Sequence, residues 1–245
     1  RIERLEIQRE TLQEEFDARR HPDGWDLAAF RPDDRWLPAM PLACGPDRSC
    51  ASSGYPGNDT MDGVPAEQSS LHVRQIPPLK EVEVPAMRLA DSGRVHWARD
   101  PDDWFENRMP GSFRTERAAV AEALQATSPS PAAEVAAAAC QWRLPATPDP
   151  RKGVFVTFEF AEQLVGWPHF TLDAPAGTTV ELMTQEAHDP KADPWLDTHF
   201  HSWSRFVCRE GENRLEPFEY ESLRWMQLHV RGASRPVTLK AVGVR

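Results

Sequence analysis

Three groups of side chains in this sequence are spaced in ways that could do chemistry. Asp197, His199 and His201 alternate, so on a strand they share one face; two imidazoles and a carboxylate in that pattern can hold a divalent ion, with His188 or Asp189 as a further ligand. The alternative is a set of solvent-facing, hydrogen-bonded histidines. Trp195 and Trp203 lie around the polar loop 187–202, where indole rings can stack on the C–H faces of a sugar while their N–H groups donate. Their alternative is packing in a core or a domain interface. Glu159, Glu162, Glu181 and Glu186 are carboxylates near strand ends, read here as solvated groups. No catalytic residue is assigned to the chain, and no cofactor is expected.

The elements that must position these residues run from Val154 to Gly232. Val154, Val156, Phe158 and Phe160 alternate with polar or smaller residues, as on a half-buried strand. Phe170/Leu172 and Val180/Leu182 flank the turn Ala174-Pro175-Ala176-Gly177, and residues 223–230 read as a last long strand. Trp167 and Trp225 fall within these apolar alternations and are assigned to packing. The expected fold is mainly β: an antiparallel, jelly-roll-like β-sandwich with a small helical insertion.

Upstream, 2–8 and 14–19 are read as strands, with Trp25 and Trp36 pinning loops to the core. Residues 42–70, rich in Gly, Pro, Ser and Asp, form a long surface loop. Val82, Val84, Met87 and Leu89 suggest an edge strand interrupted by Pro85, followed by a short strand over 94–97. Thr115 is placed to cap a helix through Leu124, and Ser130-Pro131 to start another through Cys140. The expected organisation is therefore 1–43, strands and linker left from a preceding domain; 44–112, long loop and edge strands; 113–143, a helical insertion; and 151–245, the main sheet, forming one domain with strands from 72–98.

Composition narrows the function classes. A net charge of −10 over 245 residues disfavours nucleic acid and anionic membrane surfaces, which need basic patches. No run of eighteen apolar residues exists to form a spanning helix. The four cysteines fit no metal framework: Cys44 and Cys50 could close a small ring in an exported chain, but buried, reduced thiols are the plainer reading for all four. The compartment stays open. Arg1 opens the chain without a signal-peptide pattern and Arg245 closes it mid-pattern, so both ends are expected to be cut.

Three blocks of residues, in order, carry a family resemblance. They are Glu15-Phe16-Asp17-Ala18-Arg19-Arg20 with Gly24-Trp25-Asp26 and Trp36-Leu37-Pro38-Ala39; Val73 to Glu81; and Phe158-Glu159-Phe160, Leu164 to Trp167, Ala174 to Thr178, Glu186, Glu216-Pro217-Phe218 and Leu223-Arg224-Trp225. Together they resemble the β-sandwich that precedes the catalytic barrel in bacterial α-L-rhamnosidase-type glycoside hydrolases. The resemblance leaves a gap from about 91 to 150. It implies that catalysis, which needs two carboxyl groups across the scissile bond, belongs to a downstream helical (α/α) barrel whose signature is missing here. It also implies that the chain braces that barrel, which would be its partner.

Three readings follow. The chain is an accessory sandwich of a rhamnosidase-like enzyme, or of a related lyase or hydrolase cutting rhamnose–uronate linkages. Alternatively it is a lectin-like module that binds rhamnose-containing glycans through Trp195 and Trp203. The third is a small metal-dependent enzyme built on Asp197, His199 and His201. An exposed apolar patch on the folded chain favours the first.

Overall fold

The computed structural model describes residues 3–6, 12–22, 24–34, 36–38, 81–98, 113–124, 141–192, 194, 196 and 203–245. Two compact units divide the chain. One holds residues 1–21 and 81–245, the other 22–80. In the second unit the described backbone is a series of turns, closed by hydrogen bonds from Leu27 to Gly24, Phe30 to Leu27 and Trp36 to Asp33. Trp36 packs edge-on against Phe30, ring centroids 5.2 Å apart. Trp25 and Trp36 are both exposed.

The first unit is mainly β. Its strands, in chain order, are β1 (Glu3–Glu6), β2 (Leu12–Asp17), β3 (Val84–Pro85), β4 (Arg88–Trp97), β5 (Phe113–Arg117), β6 (Glu122–Leu124), β7 (Gln141–Leu144), β8 (Lys152–Gly166), β9 (Pro168–Ala174), β10 (Thr179–Gln185), β11 (Trp203–Val207), β12 (Gly211–Leu215), β13 (Glu221–Arg231) and β14 (Val237–Val244). One eight-stranded sheet runs β1-β2-β11-β10-β13-β8-β4-β5, and a second runs β12-β9-β14-β7-β6 with β3 beside β14. All pairings are antiparallel except β2 with β11, which is parallel. The sandwich expected from the alternation is present.

The core lies between the sheets. Val154, Val156, Phe158 and Phe160 of β8 all face it and meet Phe170 and Leu172 of β9 and Leu239 and Val242 of β14. β-Branched and aromatic residues suit a pleated surface buried in this way, and burying each such side chain is worth about 2–3 kcal/mol. β8 is buried on its other face too, since Phe155 and Thr157 have no exposed surface. That second face is polar as well as apolar: Gln227 Nε2 donates to Thr157 Oγ1 (2.7 Å), and His229 Nε2 lies 3.0 Å from Gln227 Oε1.

Two elements differ from expectation. The interrupted edge strand is two strands in different sheets: β3 pairs with β14, then Ala86 N bonds Val242 O and Met87 N bonds Glu159 O as the chain crosses to β8. Beyond it, β4 continues unbroken through 94–97. The helix expected over 115–124 is absent. Phe113–Arg117 instead pairs with β4, Ala118 N bonds Ser92 O, and Glu122–Leu124 pairs with β7. Helix propensity is worth only tenths of a kcal/mol per residue and a ten-residue helix is marginal alone, whereas the strands satisfy the same backbone groups and bring Val120 and Ala121 against the core. The rest of the expected helical insertion, 125–140, lies outside the described residues. Among those described, no helix is long and apolar enough to cross a membrane.

Candidate functional site

The structure sorts the candidate residues unequally. Trp195, Asp197, His199 and His201 lie outside the described residues. Trp203 is 4% exposed and packs with Met183, Leu196 and Trp225, with the Arg205 guanidinium 5.4 Å from its ring. Too little of the indole is open for a sugar to stack on it, so Trp203 is a packing residue here. His188 packs edge-on against Trp225 at 5.2 Å, and Asp189 Oδ1 accepts from Lys191 N. Among the described residues no group of three or more His, Cys, Asp or Glu is arranged to hold a metal ion.

The carboxylates divide as well. Glu162 and Glu186 are exposed, as expected of solvated groups. Glu159 and Glu181 are buried, which corrects the expectation for both. Glu159 is held by Arg88 Nε at 2.8 Å and Arg224 Nη2 at 3.0 Å. Glu181 lies 3.6 Å from Arg205 and 3.4 Å from Arg231. Alternation placed these two on the outward side of the sheet, but that side is covered locally: Leu196 N donates to Gln227 Oε1 and Pro194 O accepts from Gln227 Nε2. A carboxylate there must be paired with a cation.

The arrangement that stands out is aromatic and sits where β8 ends and β13 begins. Phe218 is 67% exposed, Tyr220 61% and Val165 69%. Trp167, half-buried, meets Tyr220 edge-on with centroids 6.2 Å apart, and its Nε1 donates to Phe218 O at 3.2 Å. Val165 joins the group through strand pairing opposite Ser222, beside Gly166 opposite Glu221. Gly166 is required: a Cβ there would stand 2.4 Å from the Arg245 carbonyl oxygen. That close approach lets Trp167 and Arg245 exchange two backbone hydrogen bonds, at 2.9 and 3.0 Å.

Buried and paired charges hold these aromatics rigidly outward. Glu14 of β2, itself buried, accepts from the backbone N–H of Phe218 (2.8 and 2.9 Å to its two oxygens) and of Glu219 (3.1 Å). Arg245 lies over the Trp167 ring at 5.3 Å and bonds Glu216 (2.7 Å) and Glu81 (2.8 Å), which raises its pKa further. Burial pushes the carboxyl of Glu221 up to about 7, helped by the charges of Glu14 and Glu219 and opposed by a hydrogen bond from Thr184. Glu14 and Glu221 are not an acid/base pair for catalysis, because the oxygens of Glu14 are spent on backbone N–H groups. What the site offers is a fixed apolar surface with a polar rim, suited to binding.

Sequence reasoning gave Trp167 to packing and passed over Phe218 and Tyr220. A signal was present: in Glu216-Pro217-Phe218-Glu219-Tyr220 two aromatics alternate with acids just after a Pro, the composition of a surface turn between strands.

No protein-family model matches the chain, and no curated protein matches it. Among solved structures, it is similar over part of its length to a GH78 family rhamnosidase of Bacillus sp. GL1, with 24% identity and a TM-score of 0.40 over 54% of this chain. It is similar also to a rhamnosidase from Klebsiella oxytoca with rhamnose bound (13% identity, TM-score 0.36, 66% of this chain). A third similar structure is a pectin binding carbohydrate binding module (12% identity, TM-score 0.26, 43% of this chain and 70% of that one). The matched region spans 13% and 28% of the two rhamnosidases.

Proposed function

We propose that this chain is a non-catalytic accessory β-sandwich of a multidomain α-L-rhamnosidase-like glycoside hydrolase, and that Trp167, Phe218 and Tyr220 seat it against the catalytic barrel. The single observation that carries the reading is the exposed aromatic surface held in place by Glu14 and Arg245. A turn anchored by a buried carboxylate would gain nothing by presenting two large rings to water. Covering them would contribute about 2–3 kcal/mol per ring at ~100 Å² each. The resemblance of three sequence blocks supplies the identity of the neighbour.

The test pairs the chain with the barrel encoded in the same reading frame, supplied as a separate polypeptide. Phe218→Ser with Tyr220→Ser should leave the thermal midpoint of the chain within about 2 °C, since neither ring is in the core, and should abolish association. Undiminished association of that variant overturns the docking role. The isolated chain should not hydrolyse aryl rhamnosides; turnover by a homogeneous preparation would sink the non-catalytic assignment. The same exposed rings could serve a lectin-like module. Binding of rhamnose-containing glycans by the isolated chain, lost in the double variant, would favour that reading instead.

A further inference from the structure

At the opposite end of β8 from the aromatic surface, residues 145–151 cross from the six-stranded sheet to the eight-stranded one. Thr147 N bonds Ala233 O at 2.8 Å, and Asp149 Oδ1 accepts from Arg151 N at 2.9 Å, so the crossing is fixed at both ends. Between it and β4 lies a cleft of about 340 Å³. Arg94, Lys152 and Asp149 supply its charge and His96 a further polar group, with Pro145 and Pro148 as apolar walls. The volume is at the lower end of the range for small-molecule sites.

These groups are gathered by pairing, since Arg94 stands opposite Val154 and His96 opposite Lys152. Arg114, opposite His96 on β5, adds another cation. Against them stand Asp149, 3.3 Å from Lys152, and Glu116, which faces Arg94 in the register without an ion pair between them. Among the described residues neither the Arg94 nor the His96 side chain has a hydrogen bond or ion pair. Asp149 answers Lys152, which leaves the Arg94 guanidinium at the cleft without a charged partner among the described residues. A planar guanidinium left open at a cleft matches a carboxylate through two parallel N–H bonds. Phosphate-rich polymers fit poorly, because the acidic remainder of the surface repels them.

We propose that this cleft binds a small organic carboxylate, with Arg94 holding the carboxylate and Lys152 and His96 flanking it. The inference does not depend on the docking role of the aromatic surface. Titration of the full chain at low salt, followed by amide chemical shifts, should show glucuronate binding, with glucose and inorganic phosphate each at least tenfold weaker. Arg94→Gln should weaken glucuronate about tenfold, the loss of one charged hydrogen-bonding partner, and Lys152→Gln by a smaller factor. Both residues are exposed, so unchanged thermal midpoints verify the fold of the variants. The Phe218→Ser, Tyr220→Ser variant should bind glucuronate as the parent does, which separates this site from the other. Absence of glucuronate binding, equal affinity for glucose or phosphate, or an Arg94→Gln variant that binds normally would each overturn the proposal.

Discussion

Replacing Glu221 by glutamine should stabilise the chain in alkaline solution and leave it almost unchanged in acid. The carboxyl sits at the start of β13, close to Glu14 of β2, to Glu219 and to Thr184 of β10, and burial raises it from its ordinary 4.5 to about 7. An acid whose pKa is raised on folding binds its proton more tightly in the native state. Unfolding between pH 4.5 and 7 therefore releases a proton, and stability falls as pH rises through that window. At about 1.4 kcal/mol per pH unit the full penalty above pH 7 is about 3 kcal/mol, an upper bound because the strand end is partly open to water. Glutamine keeps the size and can still bond Thr184, but it carries no charge to repel Glu14. Urea denaturation followed by tryptophan fluorescence at pH 4, 6 and 8 should show parent and variant agreeing at pH 4. By pH 8 they should diverge by about 1–3 kcal/mol in favour of the variant. Parallel stability curves for the two proteins across this range would refute the reasoning.

Gly93→Ala should cost about 2–3 kcal/mol, because a Cβ there would stand 2.1 Å from the Glu116 carbonyl oxygen and 2.5 Å from the Phe155 ring; denaturant midpoints decide it. Glu159→Ala removes the partner shared by Arg88 and Arg224 and should cost about 1–2 kcal/mol. Combining it with Arg88→Ala should add less than the separate effects predict, and strict additivity would show the contacts to be energetically idle. Burial pushes the Cys208 thiol up to about 12, so iodoacetamide at pH 8 should leave it unmodified in the folded chain and alkylate it in urea. Mass spectrometry reads the difference, and rapid labelling of the native protein would contradict the burial.

The sequence by itself determined the strands at the centre. Alternation over 154–160 needs only the two-residue period of a pleated chain, so the inward set Val154, Val156, Phe158 and Phe160 was legible without knowing its partners. Only tertiary structure decided which sheet each strand joined. The turn at 174–177 looks like a link within one sheet, yet β9 and β10 belong to different sheets, because strand pairing is a long-range choice made between backbones. The same holds for 115–124, where local helix preference yields to pairing with β4 and β7. It holds for Glu159 and Glu181, whose outward positions become buried because chain from elsewhere covers that face. The aromatic surface, too, arises from assembly: Glu14 and Phe218 are brought together from 204 residues apart. Spacing along the chain reports which side of a strand a residue takes, while what lies on that side depends on contacts that spacing does not encode.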